Sequence, residues 1–295
     1  MGQYNTRNVA HFDFRGYKQV VDPGGLGQLS PKPDYHVLAE GDSWFNIVGN
    51  TGAFKPRNVL DTLTFKRRPT ALVNLARSGD TVTHISQALH DGTLEEALKH
   101  RKWDLILLSA GGNDLIDALT NQGQYLVEGK YLSILQNHAT TQNYQSFINQ
   151  QDLSSLKQHL VASYQRFHQY KIKTSNKTTP VLIHTYDYPT PNDAKARCVV
   201  RLGAWLYKAL KYQNIPETYW YQISDFLFLS LRDTLLELPA IIDSSFNVLN
   251  TCDTLKRAAI HQTGNTNDWL NEIHPNAAGL EKIGEKLSKK ITTLI

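Results

Sequence analysis

Short runs of consecutive apolar residues recur along the chain, separated by longer segments with helical spacing. They are HVLAE (36–40), ALVNLA (71–76), DLILLSA (104–110) and PVLIHTY (180–186), with FNVLNT (246–251) as a weaker fifth. Because the apolar residues are consecutive rather than alternating, these runs indicate strands that are buried on both faces, as in a parallel sheet.

In the segments between and after these runs, apolar residues recur at steps of three and four positions. Such series cover 153–167, 227–238 and 280–291. Each series places one apolar stripe on a helix, and that stripe must pack against a sheet or another helix. Alternating strands and helices predict an α/β fold in which a mainly parallel, five-stranded sheet carries helices on both faces.

Three segments do not follow this alternation. We predict a turn-rich N-terminal extension over 1–35 and a single domain over 36–295. Within the domain we expect insertions at about 115–150, which is rich in Asn and Gln, and at about 187–221, which is rich in Tyr and Trp. Long connections at the carboxyl ends of strands often build the functional site in such folds.

Composition argues against several classes of protein. With 31 basic and 27 acidic residues the net charge is only +4, and no long basic run indicates a nucleic-acid partner. Two distant cysteines, Cys198 and Cys252, make neither a disulfide framework nor a zinc site. Because no segment reads as a membrane span or a signal peptide, we expect a cytoplasmic protein without integral membrane association. The myristoylation-like pattern of Met1, Gly2 and Thr6 is interpreted as chance.

Motifs that could carry chemistry follow the first three predicted strands and precede the last helix. They are EGDSW, RSGD and AGGND after the strands, and EIHP near the C-terminus. Since the carboxyl ends of parallel strands meet at one edge of a sheet, Ser43, Gly79 and Asn113 can lie close together. Ser43 is then a candidate nucleophile with His274 as its base. The N–H groups of Ser43 and Gly79 and the amide of Asn113 are candidate oxyanion donors.

Each of these residues also has a purely structural interpretation. Ser43 could cap a helix, Gly79 could serve only in a turn, Asn113 could satisfy loop backbone groups, and His274 could be a loop residue before proline. Their occurrence together, in order, favours the chemical interpretation.

In this order the motifs resemble the four blocks of the GDSL/SGNH hydrolase family. Gly41-Asp42-Ser43 is similar to the first block, Gly79 to the second, 111–114 to the third and His274-Pro275 to the last. The resemblance covers most of the chain. It implies a flavodoxin-like, three-layer α/β/α sandwich and esterase chemistry without a metal or other cofactor.

The chain departs from the family at the residue that orients the histidine. The family usually has Asp three residues before it, where this sequence has Asn271. An amide oxygen can hold the ring of His274 but cannot supply negative charge. Among the carboxylates that could substitute, we favour Asp268 over Glu272 and Asp253, with Asn271 itself as the second choice.

We therefore predict a serine hydrolase that cleaves a small acyl or acetyl ester of a small molecule, carbohydrate or lipid. Two alternatives stay open. The neutral Asn271 would suit a catalytically weak binding protein of the same fold, and a site that excludes water would suit an acyltransferase. A nucleotide-binding flavodoxin-like protein is disfavoured, because GDSW rather than a glycine-rich phosphate loop follows the first strand.

Overall fold

The computed structural model describes residues 3–21, 29–46, 58–120, 125–127, 129–137, 143–197 and 201–295. Its strands are β1 (Val9–Phe12), β2 (Tyr35–Gly41), β3 (Thr70–Asn74), β4 (Leu105–Ser109), β5 (Leu126–Val127), β6 (Lys130–Tyr131), β7 (Val181–His184), β8 (Ala196–Arg197), β9 (Arg201–Leu202) and β10 (Phe246–Leu249). Its α-helices are α1 (Phe14–Val20), α2 (Val82–Asp91), α3 (Thr93–His100), α4 (Gly112–Asp117), α5 (Gln150–Lys171), α6 (Leu206–Tyr212), α7 (Trp220–Ile241) and α8 (Ala277–Ile291).

Six strands form a parallel sheet in the order β1-β3-β2-β4-β7-β10, and helices flank it in a three-layer α/β/α fold. The five predicted strands are all present. The sixth strand, β1, comes from the segment predicted as an N-terminal extension and pairs with β3 at the edge of the sheet. Its apolar run is only four residues long, and an edge strand needs less apolar sequence because it has one neighbour.

The strand order brings the candidate motifs to one place. Strand β2 lies between β3 and β4. The connection from β2 therefore leads to β3 on one side of it, and the connection from β3 leads back to β4 on the other side. In parallel α/β sheets this arrangement opens a crevice at the carboxyl ends of the strands, where ligands bind. The register aligns the end of β2 with its neighbours, since Gly41 lies opposite Ser109 and Ala39 opposite Asn74.

The two predicted insertions contain short elements of their own. The first includes the end of α4, the β5–β6 hairpin and a 3₁₀ turn at Tyr144–Phe147. The second includes the β8–β9 hairpin, α6 and a 3₁₀ turn at Glu217–Tyr219. Within the described ranges, no helix combines the length and the apolar character needed to cross a membrane. Met1, Gly2 and Cys198 lie outside these ranges.

Candidate active site

Ser43 lies in the turn that follows β2. The backbone of Gly41 has φ +151°, and a Cβ at this residue would lie 2.4 Å from the carbonyl oxygen of Ser109. Glycine is therefore required for β2 to approach β4 closely at its end. The Asp42 N–H donates to the Ser109 carbonyl at 2.9 Å, and the Asp42 carbonyl accepts from Phe45 N at 3.1 Å. These bonds close the turn that presents Ser43 at the sheet edge.

The structure brings Ser43, His274 and Asn271 together in one chain of hydrogen bonds. Ser43 Oγ is 2.8 Å from His274 Nε2, and His274 Nδ1 is 2.9 Å from Asn271 Oδ1. The same Asn271 oxygen accepts from the backbone N–H groups of Ile273 at 3.1 Å and His274 at 3.0 Å. Because backbone N–H groups only donate, they fix Oδ1 rather than the amide nitrogen toward the ring. His274 must then carry its proton on Nδ1, and Nε2 is free to accept from Ser43.

The preference for Asp268 as the residue that orients His274 is wrong. The Asp268 carboxylate accepts from the Lys256 N–H at 2.5 Å and from Lys282 Nζ at 2.5 Å. The Asp268 side chain does not reach back to the ring. Its loop is held in another course by β-bridges from Trp269 to Thr266 and to Pro275. Asn271, in the position where the resemblance places an aspartate, is the residue that meets the ring.

Asn113 links the third motif to the second. Its Nδ2 donates to the carbonyl of Asp80 at 2.9 Å, which leaves the second N–H of the amide for another acceptor. The Asp80 N–H donates to the Arg77 carbonyl at 3.1 Å and closes a turn. This turn contains Gly79, which has φ +90°. A Cβ on Gly79 would meet no atom of the described residues within 4 Å, so this backbone faces open space.

A buried network that the sequence did not suggest lies beneath Ser43. Asp42 is 1% exposed and accepts from Ser109 Oγ at 2.8 Å, from Trp44 N at 3.0 Å and from the hydroxyl of Tyr186. Ser109 Oγ is also 2.9 Å from His184 Nε2, and His184 Nδ1 is 2.9 Å from the Thr185 carbonyl.

Counting donors determines how many protons this network holds. The carbonyl of Thr185 only accepts, so His184 Nδ1 carries a proton. The one hydroxyl proton of Ser109 can satisfy either Asp42 or His184, and the remaining contact needs a proton from the other residue. Burial raises the pKa of Asp42 to about 6 and lowers the pKa of His184 to about 4, and both shifts disfavour an ion pair between a carboxylate and an imidazolium.

Glu272 is a second residue whose structural importance the sequence did not reveal. Its buried carboxyl group accepts from the backbone N–H groups of Asn192 at 3.1 Å, Leu206 at 3.0 Å and Tyr207 at 2.7 Å, and also from that of Trp205. Burial raises the pKa of Glu272 to about 8, and these four donors oppose the shift because they favour the ionised form. The predicted insertion at 187–221 is thereby tied to the loop of His274.

Aromatic contacts also fix the position of the His274 loop. The ring of Trp205 contacts the His274 ring edge to face, with centroids 5.5 Å apart. On the other side, Trp44 Nε1 donates to the Ile273 carbonyl at 3.2 Å. The loop that carries the histidine is therefore bound both to the insertion and to the turn that carries the serine.

The electrostatic environment keeps His274 neutral. The residue is 7% exposed, and burial lowers its pKa to about 4. A neutral imidazole with Nε2 free is the form that can accept the proton of a serine hydroxyl. Within the described part of the chain, no cluster of three His, Cys, Asp or Glu side chains is arranged to hold a metal ion.

The pocket beside Ser43 is small. Its volume is about 20 Å³, and its walls include Ser43, Asn113, Tyr186, Phe228 and Trp269. A cavity of this size has room for about one water-sized group. The arrangement can therefore hold a small substituent next to the serine hydroxyl.

A parallel α/β/α sandwich with a serine–histidine pair at the carboxyl edge of its sheet defines the class: a hydrolytic enzyme. A family model described as GDSL-like Lipase/Acylhydrolase matches residues 37–287. The chain belongs to this family, as the four motifs indicated.

Solved structures share the fold at low identity. The lipase Lip_vut3 from a goat rumen metagenome is 18% identical with a TM-score of 0.53, covering 86% of this chain and 96% of that one. An extracellular lipase from Streptomyces rimosus is 15% identical with a TM-score of 0.50, covering 86% of this chain and 99% of that one. No curated protein sequence is significantly similar to the chain.

Proposed function

We propose that the protein is a serine esterase that cleaves small acyl esters through an acyl-enzyme. The observation that carries this proposal is the hydrogen-bonded chain from Ser43 Oγ through His274 to Asn271, with distances of 2.8 and 2.9 Å. His274 Nε2 takes the proton of Ser43 as its oxygen attacks the ester carbonyl. The imidazolium then returns the proton to the leaving alcohol, and a water repeats the cycle on the acyl-enzyme.

The oxyanion that forms in this reaction needs donors already in place. We assign the free N–H of the Asn113 side chain to this role, together with the backbone N–H groups of Ser43 and Gly79. The bond from Asn113 to the Asp80 carbonyl holds the amide beside the Gly79 turn. Donors fixed before the reaction stabilise developing charge without a cost of reorientation.

The size of the pocket supports a small acyl group. A volume of about 20 Å³ beside Ser43 suits the methyl group of an acetyl ester better than a long acyl chain. We therefore expect p-nitrophenyl acetate to be hydrolysed and p-nitrophenyl octanoate to be hydrolysed much more slowly.

A fluorophosphonate probe with peptide mapping tests the proposal directly. The probe should label Ser43, and Ser43→Ala should abolish both labelling and acetate hydrolysis while the thermal melt stays close to that of the wild type. Ser154→Ala, at an exposed position on α5, is the matched control and should change neither. Hydrolysis at the wild-type rate by Ser43→Ala would exclude Ser43 as the nucleophile.

A catalytically weak binding protein is the second candidate, and the neutral Asn271 is the observation that favours it. This alternative predicts that the wild-type protein neither reacts with the fluorophosphonate nor releases p-nitrophenol above the background rate. The same two assays therefore distinguish the candidates.

A further inference from the structure

A second, much larger cleft lies on the β3 side of Ser43. Its volume is about 1230 Å³, and α1, the ends of β2 and β3, α2 and α3 contribute to its walls. Its rim includes Arg77 and Asp80 from the Gly79 turn and Asn46 from the turn of Ser43. Asn46 N donates to the Asp42 carbonyl at 3.1 Å, and Asp80 accepts from Asn113, so the cleft borders both halves of the candidate active site.

Glu40 lines this cleft and has one hydrogen-bond partner among the described residues. Glu40 directly precedes Gly41 at the end of β2 and is only 5% exposed. Oε1 accepts from the Gly41 N–H at 2.8 Å, and no other described residue hydrogen-bonds to the carboxyl group. The second oxygen, Oε2, is not enclosed by the described residues, so it opens onto the cleft and can bind a ligand there.

Two pairs of titratable groups also line the cleft, and the positive charge of Arg77, which forms no ion pair with a described residue, acts on Glu40. Lys18 Nζ is 2.5 Å from Glu96, and His84 Nδ1 is 3.6 Å from Asp80. Asn46 uses its Nδ2 to bind the Ala76 carbonyl at 2.7 Å, while its amide oxygen accepts from none of the described residues. Glu40 and Asn46 thus leave hydrogen-bonding capacity unused at the same cleft.

The ionisation of Glu40 indicates what kind of ligand would match it. Burial raises the pKa of Glu40 to about 8. At neutral pH the group is then mainly a carboxylic acid, which both donates and accepts a hydrogen bond. A hydroxyl group has the same two capacities, whereas a cation would require the ionised acid and a hydrocarbon would leave the acid unpaired.

We propose that this cleft binds the alcohol portion of the ester, and that the alcohol is polyhydroxylated, as in a sugar, with Glu40 and Asn46 binding its hydroxyl groups. The inference rests on the proposed esterase function and adds its substrate class. The acyl group occupies the small pocket beside Ser43, and the leaving alcohol extends into the large polar cleft.

Three acetate esters of primary alcohols test this assignment, because they share the acyl group and differ in the alcohol. They are methyl 6-O-acetyl-glucopyranoside, hexyl acetate and acetylcholine. We expect kcat/KM to be about tenfold higher or more for the glycoside than for either other ester, the effect of about one well-made hydrogen bond in the site. A preference for hexyl acetate or acetylcholine, or equal rates for all three, overturns the subsite and leaves the esterase function standing.

Substitutions at Glu40 distinguish a binding role from a structural one. Glu40→Leu should lower kcat/KM for the glycoside about tenfold relative to hexyl acetate, whereas Glu40→Gln keeps a donor and an acceptor and should retain most of the preference. The melting temperature of Glu40→Leu should fall by a few degrees at most, because the Gly41 N–H loses its acceptor, whereas Glu40→Gln keeps an oxygen for that N–H. Glu237→Leu, at an exposed position on α7, is the control.

A binding measurement separates failure of the subsite from failure of the chemistry. Calorimetry with Ser43→Ala protein should detect binding of the glycoside acetate, and the double variant Ser43→Ala/Glu40→Leu should bind it about tenfold more weakly. Equal binding by the two proteins overturns the role of Glu40, whatever the outcome of the hydrolysis assays.

Discussion

Asn271 occupies the position at which the GDSL/SGNH family usually has the aspartate that orients the histidine. In the chymotrypsin-type triad, replacing the aspartate by asparagine lowers kcat by about 10⁴, because the wrong histidine tautomer results. Here the N–H groups of Ile273 and His274 hold the Asn271 oxygen toward Nδ1, at 3.1 and 3.0 Å from their nitrogens. The tautomer is therefore the productive one, and only the charge of a carboxylate is missing.

This geometry predicts an unusually acidic limit to activity. With a pKa of about 4, His274 is neutral at higher pH and can accept the Ser43 proton. The pH profile of kcat/KM for p-nitrophenyl acetate should thus be flat above about pH 5 and fall as the pH drops through about 4. In Asn271→Asp, the adjacent negative charge favours the imidazolium and raises the pKa of His274, so the acid limb should move to higher pH.

Above the shifted limb, Asn271→Asp should also raise kcat, on the order of tenfold, because its histidine is the stronger base. Asp268→Asn is the control, since Asp268 binds Lys256 and Lys282 and should leave the limb in place. An unchanged pH limb in Asn271→Asp would show that residue 271 does not face the histidine ring in solution.

At the scale of elements, the candidate active site depends on the insertion at 187–221, although none of the candidate catalytic residues lies in it. Glu272 accepts hydrogen bonds from the backbone N–H groups of Asn192 and of the first residues of α6. N–H groups at the start of a helix have no partner within the helix. The Trp205 ring, in the same segment, packs against His274. Glu272, next to Asn271 in the chain, thus fixes the insertion against the loop of His274.

Glu272→Ala should weaken both the fold and the site. It leaves four N–H groups, two buried and two half-buried, without an acceptor, so we expect a loss of about 3 kcal/mol in the free energy of unfolding. The rate of fluorophosphonate labelling at Ser43 should fall about tenfold, because a mispositioned base activates the serine less well. Glu285→Ala, on the exposed face of α8, is the control for both measurements. A lower melting temperature with unchanged labelling would mean that the insertion does not position His274.

The contrast between elements and loops explains what the sequence could predict. Runs such as DLILLSA predict buried strands because burial on both faces leaves a local pattern. β1 was missed since four residues at an edge leave a weak pattern. The preference for Asp268 failed because its lysine partners are set by the folded loop rather than by spacing. The four donors of Glu272 lie about 65 to 80 residues earlier in the chain, so no local pattern announces them.

At the scale of the whole molecule, two polar networks lie at opposite ends of the strands of the sheet. The one around Ser43 and His274 joins the carboxyl ends of the strands. The other is centred on Lys171, whose buried ammonium donates to the carbonyls of Asn176, Lys177 and Thr179 at 2.9–3.1 Å. Asn176 in turn accepts from Trp103 N at 2.8 Å, just before β4. The second network thus joins segments that precede β4 and β7, far from the candidate active site in the fold.

This separation predicts that stability and activity can be changed independently. Lys171→Met fills similar space but leaves the carbonyls of Lys177 and Thr179 without a donor and that of Asn176 with the Thr179 N–H alone, so the free energy of unfolding should fall by about 3 kcal/mol. We expect the melting temperature to drop by about 5 °C or more. At 25 °C, kcat for p-nitrophenyl acetate should stay within about twofold of the wild type, because the strand ends that carry Ser43 and Asn113 keep their hydrogen bonds. Lys173→Met, two residues on and exposed, should change neither quantity. A parallel loss of kcat in Lys171→Met, measured well below its melting temperature, would show that the two ends of the strands are coupled.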